Sequence, residues 1–414
     1  IWHMCKTPLP AMCAAGAANH RNSAQGFAMT SLPQQGLFTP AGSLAAVDTP
    51  CLLLDPQKMD ANIARLRQSL EATGTGFRPH LKTAKSVDVA RRMFASGHGP
   101  ATVSTLAEAE AFARAGFTDL TYAVGITPCK LPRVAALHRQ GTTVSVILDS
   151  VEQAEAVADF SRRHLPIPVL VELDCDGHRS GVRPDDHELL LAIASRLAPA
   201  PLLGVLTHAG ESYHARGKAA LAAAAENERA CATRAAQILR AAGHACPVVS
   251  AGSTPTAFSA QSRHGLTEVR AGVFVFFDLV QAGIGVCSHE DIALSVLATV
   301  IGHQSRKGWI IIDAGWTALS ADRGTDSQEK NQGLGMVCDL NGVPLPGLSV
   351  LDANQEHGIV ACRDPAHMPR LPVGARLRIL PVHACATVTQ HDRYHVLGPD
   401  GNEITTTWPR FRGW

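Results

Sequence analysis

From about residue 50 the chain alternates short apolar runs with longer amphipathic segments. The runs are 51–55 (CLLLD), 77–82 (FRPHLK), 101–106 (ATVSTL), 120–125 (LTYAVG), 144–149 (VSVILD), 168–174 (PVLVELD), 202–210 (LLGVLTHAG) and 247–256 (PVVSAGSTPT). An Ala/Leu/Glu/Arg-rich stretch of helical length follows each. Continuous β-branched runs between amphipathic helices predict parallel strands covered on both faces. Eight such units over about 230 residues match a (β/α)8 barrel in number and size. A doubly wound open sheet is the competing architecture, and the G-x-G-x-x-G turn it often carries after its first strand is absent after CLLLD. The expected fold is therefore α/β, with a barrel at 46–280.

The texture changes after residue 280. Strand-like segments at 294–303, 308–315, 375–385 and 394–397 are separated by turn-rich stretches such as 340–347 (LNGVPLPG) and 398–402 (GPDGN). Few helical patterns interrupt them, so residues 281–414 should form a β-rich domain.

Composition narrows the function classes. The 414 residues carry 37 Lys+Arg against 36 Asp+Glu, a net charge of +1, and 46% hydrophobic residues. That rules out a disordered chain, and no basic run offers a nucleic-acid footprint. No stretch approaches the ~20 apolar residues of a membrane helix. A soluble, cytoplasmic protein acting on a small molecule is expected. The eleven cysteines are odd in number and include no C-x-x-C. They are expected to be reduced and mostly small core residues rather than a disulfide framework or paired zinc motif. Residues 1–28 open with Ile and lack a strong apolar stretch. They are expected to be a disordered or added extension, with Met29 as the start.

In such a barrel, chemistry sits at the C-terminal strand ends. Lys82 ends the second run, with His80 before it. A lysine desolvated in a barrel mouth can act as a Schiff-base nucleophile, although most loop lysines are simply solvated. Lys85 should lie in the next helix and face solvent or a phosphate. Gly252-Ser253-Thr254 follows the eighth run, where barrels often bind phosphate, although G-S-T is also common in ordinary turns. A lysine and a phosphate cradle at one mouth suggest pyridoxal phosphate. In the last domain His383 and Cys385 would share one face of a strand, placed for a divalent metal or for an ordinary core. The polar run Asn354–Gly358 reads as a surface turn or as support for a site.

Seven segments together, RPHLKTAKS, VSTLAEAE, DGHRSGV, LTHAGESY, SAGSTPT, NQEHG and PVHAC, resemble the D-serine dehydratase / D-threonine aldolase family, from about residue 46 to the C-terminus. These are pyridoxal-phosphate enzymes of the alanine-racemase-like fold. The resemblance implies a homodimer in which Lys82, beside His80, binds the cofactor covalently. Arg179, His208 and Tyr213 would line the pocket, and Gly252, Ser253 and Thr254 would hold the phosphate. His383 and Cys385 would bind a divalent metal, with Zn expected and Mn, Co or Mg as alternatives. The implied reaction eliminates water from a D-3-hydroxy amino acid, such as D-serine or D-threo-3-hydroxyaspartate, and hydrolysis of the resulting enamine releases ammonia and a 2-oxo acid. Retro-aldol cleavage to glycine and an aldehyde is the nearest rival. Aldolases of the family tend to carry His-x-Asp where this chain has His383-Ala384-Cys385. A racemase would need a β-domain tyrosine opposite Lys82, and only Tyr394 lies there. A non-enzymatic cofactor-binding protein would lack the second domain.

Overall fold

Eight parallel strands form one sheet, in the spatial order Gly76–Phe77, Glu268–Val269, Val248–Ala251, Leu202–Thr207, Val169–Leu173, Thr143–Leu148, Asp119–Gly125 and Ala101–Val103. The computed structural model describes residues 44, 47–177, 179–364, 366 and 368–414, so the expectation for residues 1–28 lies outside the described residues. The first strand runs on irregularly beyond Phe77. Arg78 and His80 donate to the Val269 and Ala271 carbonyls on one side (3.1 and 2.7 Å), while Leu81 donates to Thr102 on the other (2.8 Å). A parallel bridge between His80 and Thr102 thus closes the barrel just before Lys82.

The strand count is right, but its membership differs from the sequence expectation. Cys51–Leu54 is not a barrel strand. It pairs antiparallel with Leu294–Gln304 and parallel with Arg393–Leu397 in the second sheet. Its two faces enter two different apolar clusters: Leu52 and Leu54 join the main core, whereas Cys51 and Leu53 meet Leu297, Leu340 and Leu397. Burial on both faces produces the same unbroken apolar run as a barrel strand. The missing barrel strand is Glu268–Val269, two residues long with no apolar run. Val248–Ala251 is therefore the seventh barrel strand rather than the eighth.

The helices start where local chemistry directs. Asp55 caps Pro56–Glu71 by accepting from the Gln57 and Lys58 amides, with Pro56 at the first turn, and Met59, Ile63, Leu66 and Leu70 form the buried stripe. Thr105 and Ser150 cap the helices at Leu106–Arg114 and Val151–Arg163 in the same way.

The second sheet is antiparallel apart from one parallel pair. Leu294–Gln304, Trp309–Ile312, Gly358–Cys362, Pro344–Ala353, Gly335–Cys338 and Arg376–Pro381 close on themselves, and Cys51–Leu54, Arg393–Leu397 and Ile404–Pro409 extend the sheet. One continuous core joins this domain to the barrel. Tyr394 ties the two directly by donating to the Ala84 carbonyl at 2.6 Å, two residues beyond Lys82. Among the described residues no helix is long and apolar enough to cross a membrane.

Candidate active site

A cavity of about 580 Å³ opens where the barrel's strand ends face the second domain. Its lining brings together every residue singled out from the sequence as cofactor- or metal-binding: His80, Lys82, Arg179, His208, Tyr213, Gly252, Ser253, Thr254, His383 and Cys385. One other expectation fails, and one left open resolves to the surface turn. Lys85 is not in a helix: it sits at φ +44° before the helix Val87–Arg92 and pairs with the buried Glu108 carboxylate at 3.0 Å. Asn354–Gly358 is the reversal between two strands, closed by the Asn354 amide donating to the His357 carbonyl, and does not line the cavity.

On the barrel side, two imidazoles are held neutral. The Lys82 amide donates to His80 Nδ1 and His80 Nε2 reaches the Ser104 hydroxyl, both at 3.4 Å. His208 Nδ1 donates to the Gly252 carbonyl at 3.1 Å. Burial, with the Lys82 charge next, holds His80 well below its ordinary range and pulls His208 down to about 3. Arg270, directly after the strand missed from the sequence, presents a buried guanidinium to the same space. It is fixed by donation to the Ser250 hydroxyl (2.7 Å) and the Thr207 carbonyl (2.6 Å).

Backbone shape accounts for two of the loops. Gly252 lies at φ +137°, and a Cβ there would fall 2.1 Å from the Arg270 carbonyl oxygen, so only glycine lets the two strand ends lie together. Gly181, at φ +122°, would clash with Leu173 and Asp174, which lets the segment before Val182 fold back on the strand end and carry Arg179 to the mouth. Arg179 remains half exposed, 3.9 Å from the buried Glu172.

The Gly252–Thr254 turn is more occupied than its sequence suggests. The Ser253 amide donates to Thr256 Oγ1 (2.9 Å) in a capping box, and Thr256 Oγ1 in turn donates to the buried Glu228 (2.6 Å). Ser253 and Thr254 line the cavity beside Gly272 and Val273, with the Thr254 hydroxyl accepting from the Phe274 amide at 3.2 Å. The Ser253 hydroxyl lies 2.8 Å from that of Ser212. This set of hydroxyls and tight backbone, a facing lysine and a buried guanidinium fits a phosphorylated aldehyde.

The β-domain side is built differently. The strand Arg376–Pro381 ends before His383, which caps the helix Ala384–Gln390, so the two residues do not share a strand face as the spacing predicted. They converge instead across the first helical turn. Asp278, wholly buried, accepts from the Ala384 amide at 2.9 Å and so pins this turn. His383 Nδ1 donates to Asp322 at 2.7 Å, and Cys385 Sγ lies 3.1 Å from the Thr83 hydroxyl. Burial opposes the imidazolium, yet the hydrogen bonds to Asp322 and then Cys385 outweigh it and raise His383 to about 11. Burial likewise opposes the thiolate, and the His383 contact overcomes it, lowering Cys385. Among the described residues no group of three or more His, Cys, Asp or Glu side chains converges as a complete metal cage. A thiol and an imidazole fit a borderline-soft divalent ion that keeps open positions.

Arg270, Asp278, Gln281 and Asp322 were not found from the sequence. Asp322 lies 61 residues before its partner, with nothing local to mark it. Arg270 follows a strand too short to register as an apolar run, and the eight runs already counted left no place for one.

Residues 54–280 match the family described as alanine racemase, N-terminal domain, and residues 293–397 match the putative serine dehydratase domain. A D-threo-3-hydroxyaspartate dehydratase from Delftia sp. (strain HT23) is 53% identical over 379 residues, covering 90% of this chain and 99% of that one. Its solved structure superposes with a TM-score of 0.88, over 90% of this chain and 100% of that one. A D-threonine aldolase from Arthrobacter sp. is 30% identical over 361 residues, 85% of this chain and 90% of that one. The chain belongs to the alanine-racemase-fold family of D-3-hydroxy amino acid dehydratases and aldolases, on the dehydratase side.

Proposed function

We propose that this chain is a pyridoxal-phosphate- and metal-dependent dehydratase of D-threo-3-hydroxyaspartate, releasing ammonia and oxaloacetate. The observation that carries this reading is the meeting of Lys82 with the His383–Cys385 pair across one cavity. The Delftia relative supports it, and solved structures of such a dehydratase include a histidine-to-alanine variant and a cysteine-to-alanine variant in metal-free form. Those two altered positions stand two residues apart, as His383 and Cys385 do.

Lys82 would hold the cofactor, with its phosphate against Ser253, Thr254 and the Gly272–Val273 turn. When bound, pyridoxal phosphate supplies an electron sink for charge that develops at Cα. The Lys82 amine would serve as the base for the Cα proton. His80 and His208, both neutral, add no competing positive charge beside it, and Arg270 would present a fixed cation to the cofactor's side of the cavity. His383 and Cys385 would hold a divalent ion, zinc by the softness of the thiolate, and that ion supplies Lewis acidity toward the β-hydroxyl as it leaves. Tyr394, committed to the Ala84 carbonyl and absent from the cavity lining, is not placed as a racemase's second base.

The test is product analysis of cofactor-loaded protein given D-threo-3-hydroxyaspartate, D-serine and D-threonine separately, with and without EDTA. Ammonia with a 2-oxo acid, lost on chelation, is expected. Glycine with an aldehyde would overturn the reading in favour of the aldolase. Sedimentation and fractionation would check the expected homodimer and cytoplasmic location.

A further inference from the structure

Gln281 stands out in the lining of the cavity. Its side chain is fully buried, and neither its amide nitrogen nor its amide oxygen has a hydrogen-bond partner. Among the described residues it is the only side chain with such orphaned atoms that also lines the cavity. A buried carboxamide left unpaired on both ends is costly, so it calls for a partner that enters the cavity.

Its position says which partner. The Gln281 backbone N–H donates to one oxygen of the Asp278 carboxylate (2.9 Å), and the Ala384 backbone N–H donates to the other (2.9 Å). One buried carboxylate therefore ties the backbone of Gln281 to the turn that carries His383 and Cys385. The neighbouring Val280 amide donates to the Val382 carbonyl (3.1 Å), which strengthens the same junction. A group on Gln281 thus lies on the wall where a substrate's β-substituents must be handled, rather than on the wall formed by Lys82 and the Gly252–Thr254 turn. The backbone anchor also stops the residue from swinging away.

We propose that the Gln281 carboxamide is the specificity determinant for a β-carboxylate, its Nε2–H donating to a carboxylate oxygen of the substrate. The inference rests on the proposed dehydratase reading. A neutral donor suits this place: Asp278 and Asp322 already stand nearby, and an arginine would pair with them instead of with the substrate. The carboxamide oxygen is left to accept from water or from a substrate hydroxyl.

The experiment compares wild type with Gln281→Met, which keeps the volume, and Gln281→Glu, which opposes a carboxylate, each loaded with cofactor and checked by its visible absorbance. kcat/KM is measured for D-threo-3-hydroxyaspartate and for D-serine. Binding of D-aspartate and D-alanine, which lack the leaving hydroxyl, is read from the absorbance change. The expected result is a loss of roughly 10- to 100-fold for 3-hydroxyaspartate, larger for Gln281→Glu, with D-serine held within about threefold. D-Aspartate binding should weaken in parallel and D-alanine binding should not. Equal losses on both substrates, or no loss on either, would overturn the proposal. If wild type dehydrates neither substrate, the dehydratase reading fails, while the D-aspartate and D-alanine arms still decide the role of Gln281.

Discussion

The two walls of the cavity treat the same side chain in opposite ways. On the barrel wall, His80 and His208 are buried beside the Lys82 charge, and His208 falls to about 3. On the β-domain wall, His383 is less deeply buried and meets the Asp322 carboxylate and the Cys385 sulfur, and it rises to about 11. Burial alone would lower all three, so the difference comes from the neighbours. Parallel strand ends supply the barrel wall with a lysine, an arginine and backbone carbonyls. A helix start and an irregular segment supply the other wall with carboxylates and a thiol. The result is a cavity with a lysine and an arginine on one side and an imidazole, a thiol and carboxylates on the other, a division that suits the proposed elimination of hydroxide.

The strongest way to break that comparison is to remove the reactive group from each wall in turn. Lys82→Ala should cost on the order of 10³-fold or more in turnover and abolish the visible absorbance of lysine-bound cofactor. Cys385→Ala should leave that absorbance intact, lose stoichiometric metal by elemental analysis, and lower elimination by on the order of 10²-fold or more. Unimpaired elimination in metal-stripped Cys385→Ala would mean that the two walls do not divide the chemistry as described.

The barrel wall was the more legible of the two in the sequence. Lys82, His208 and Gly252–Thr254 each follow an apolar run, and a parallel barrel fixes where strand ends go. The errors there came from length and burial. Glu268–Val269 is too short to register as an apolar run, and Cys51–Leu54 imitates a barrel strand because both its faces are buried. The β-domain wall shows up only in part. His383 and Cys385 were placed side by side from their spacing, but through the wrong element, because both a strand and a capped helical turn bring residues two apart into proximity, and spacing alone left an ordinary core open. Asp322, Asp278 and Gln281 reach the wall through long-range packing, which has no local period.

Asp322 offers a subtler way to sharpen the comparison. By accepting from Nδ1 it fixes the His383 ring so that Nε2 is the nitrogen left to bind an ion. Asp322→Asn should weaken metal affinity by roughly 10- to 100-fold in a chelator competition. The cofactor absorbance should not change. A cobalt-loaded sample gives a second readout, since the thiolate-to-cobalt band reports Cys385 directly and should persist at saturating metal. An unchanged affinity would leave Asp322 as packing only.

The smallest effect concerns the neutral imidazoles of the barrel wall, and it appears in stability rather than in turnover. His208 has an ordinary value of 6.5 and a folded value of about 3. Below pH ~6.5 the unfolded chain therefore takes up a proton that the folded chain refuses. The contribution of His208 is fully present above 6.5 and drains away as pH falls toward 3, at up to ~1.4 kcal/mol per pH unit. His80 pushes in the same direction. His208→Gln keeps a donor for the Gly252 carbonyl but has nothing to titrate. Denaturant unfolding of the cofactor-free protein at pH 7.5 and pH 5 should show the gap between wild type and variant shifting by about 2 kcal/mol in favour of the variant at the lower pH. Carboxylates titrate alike in both proteins and cancel. Parallel curves would mean that the folded protein accepts the proton on His208, and that this wall is not the neutral one.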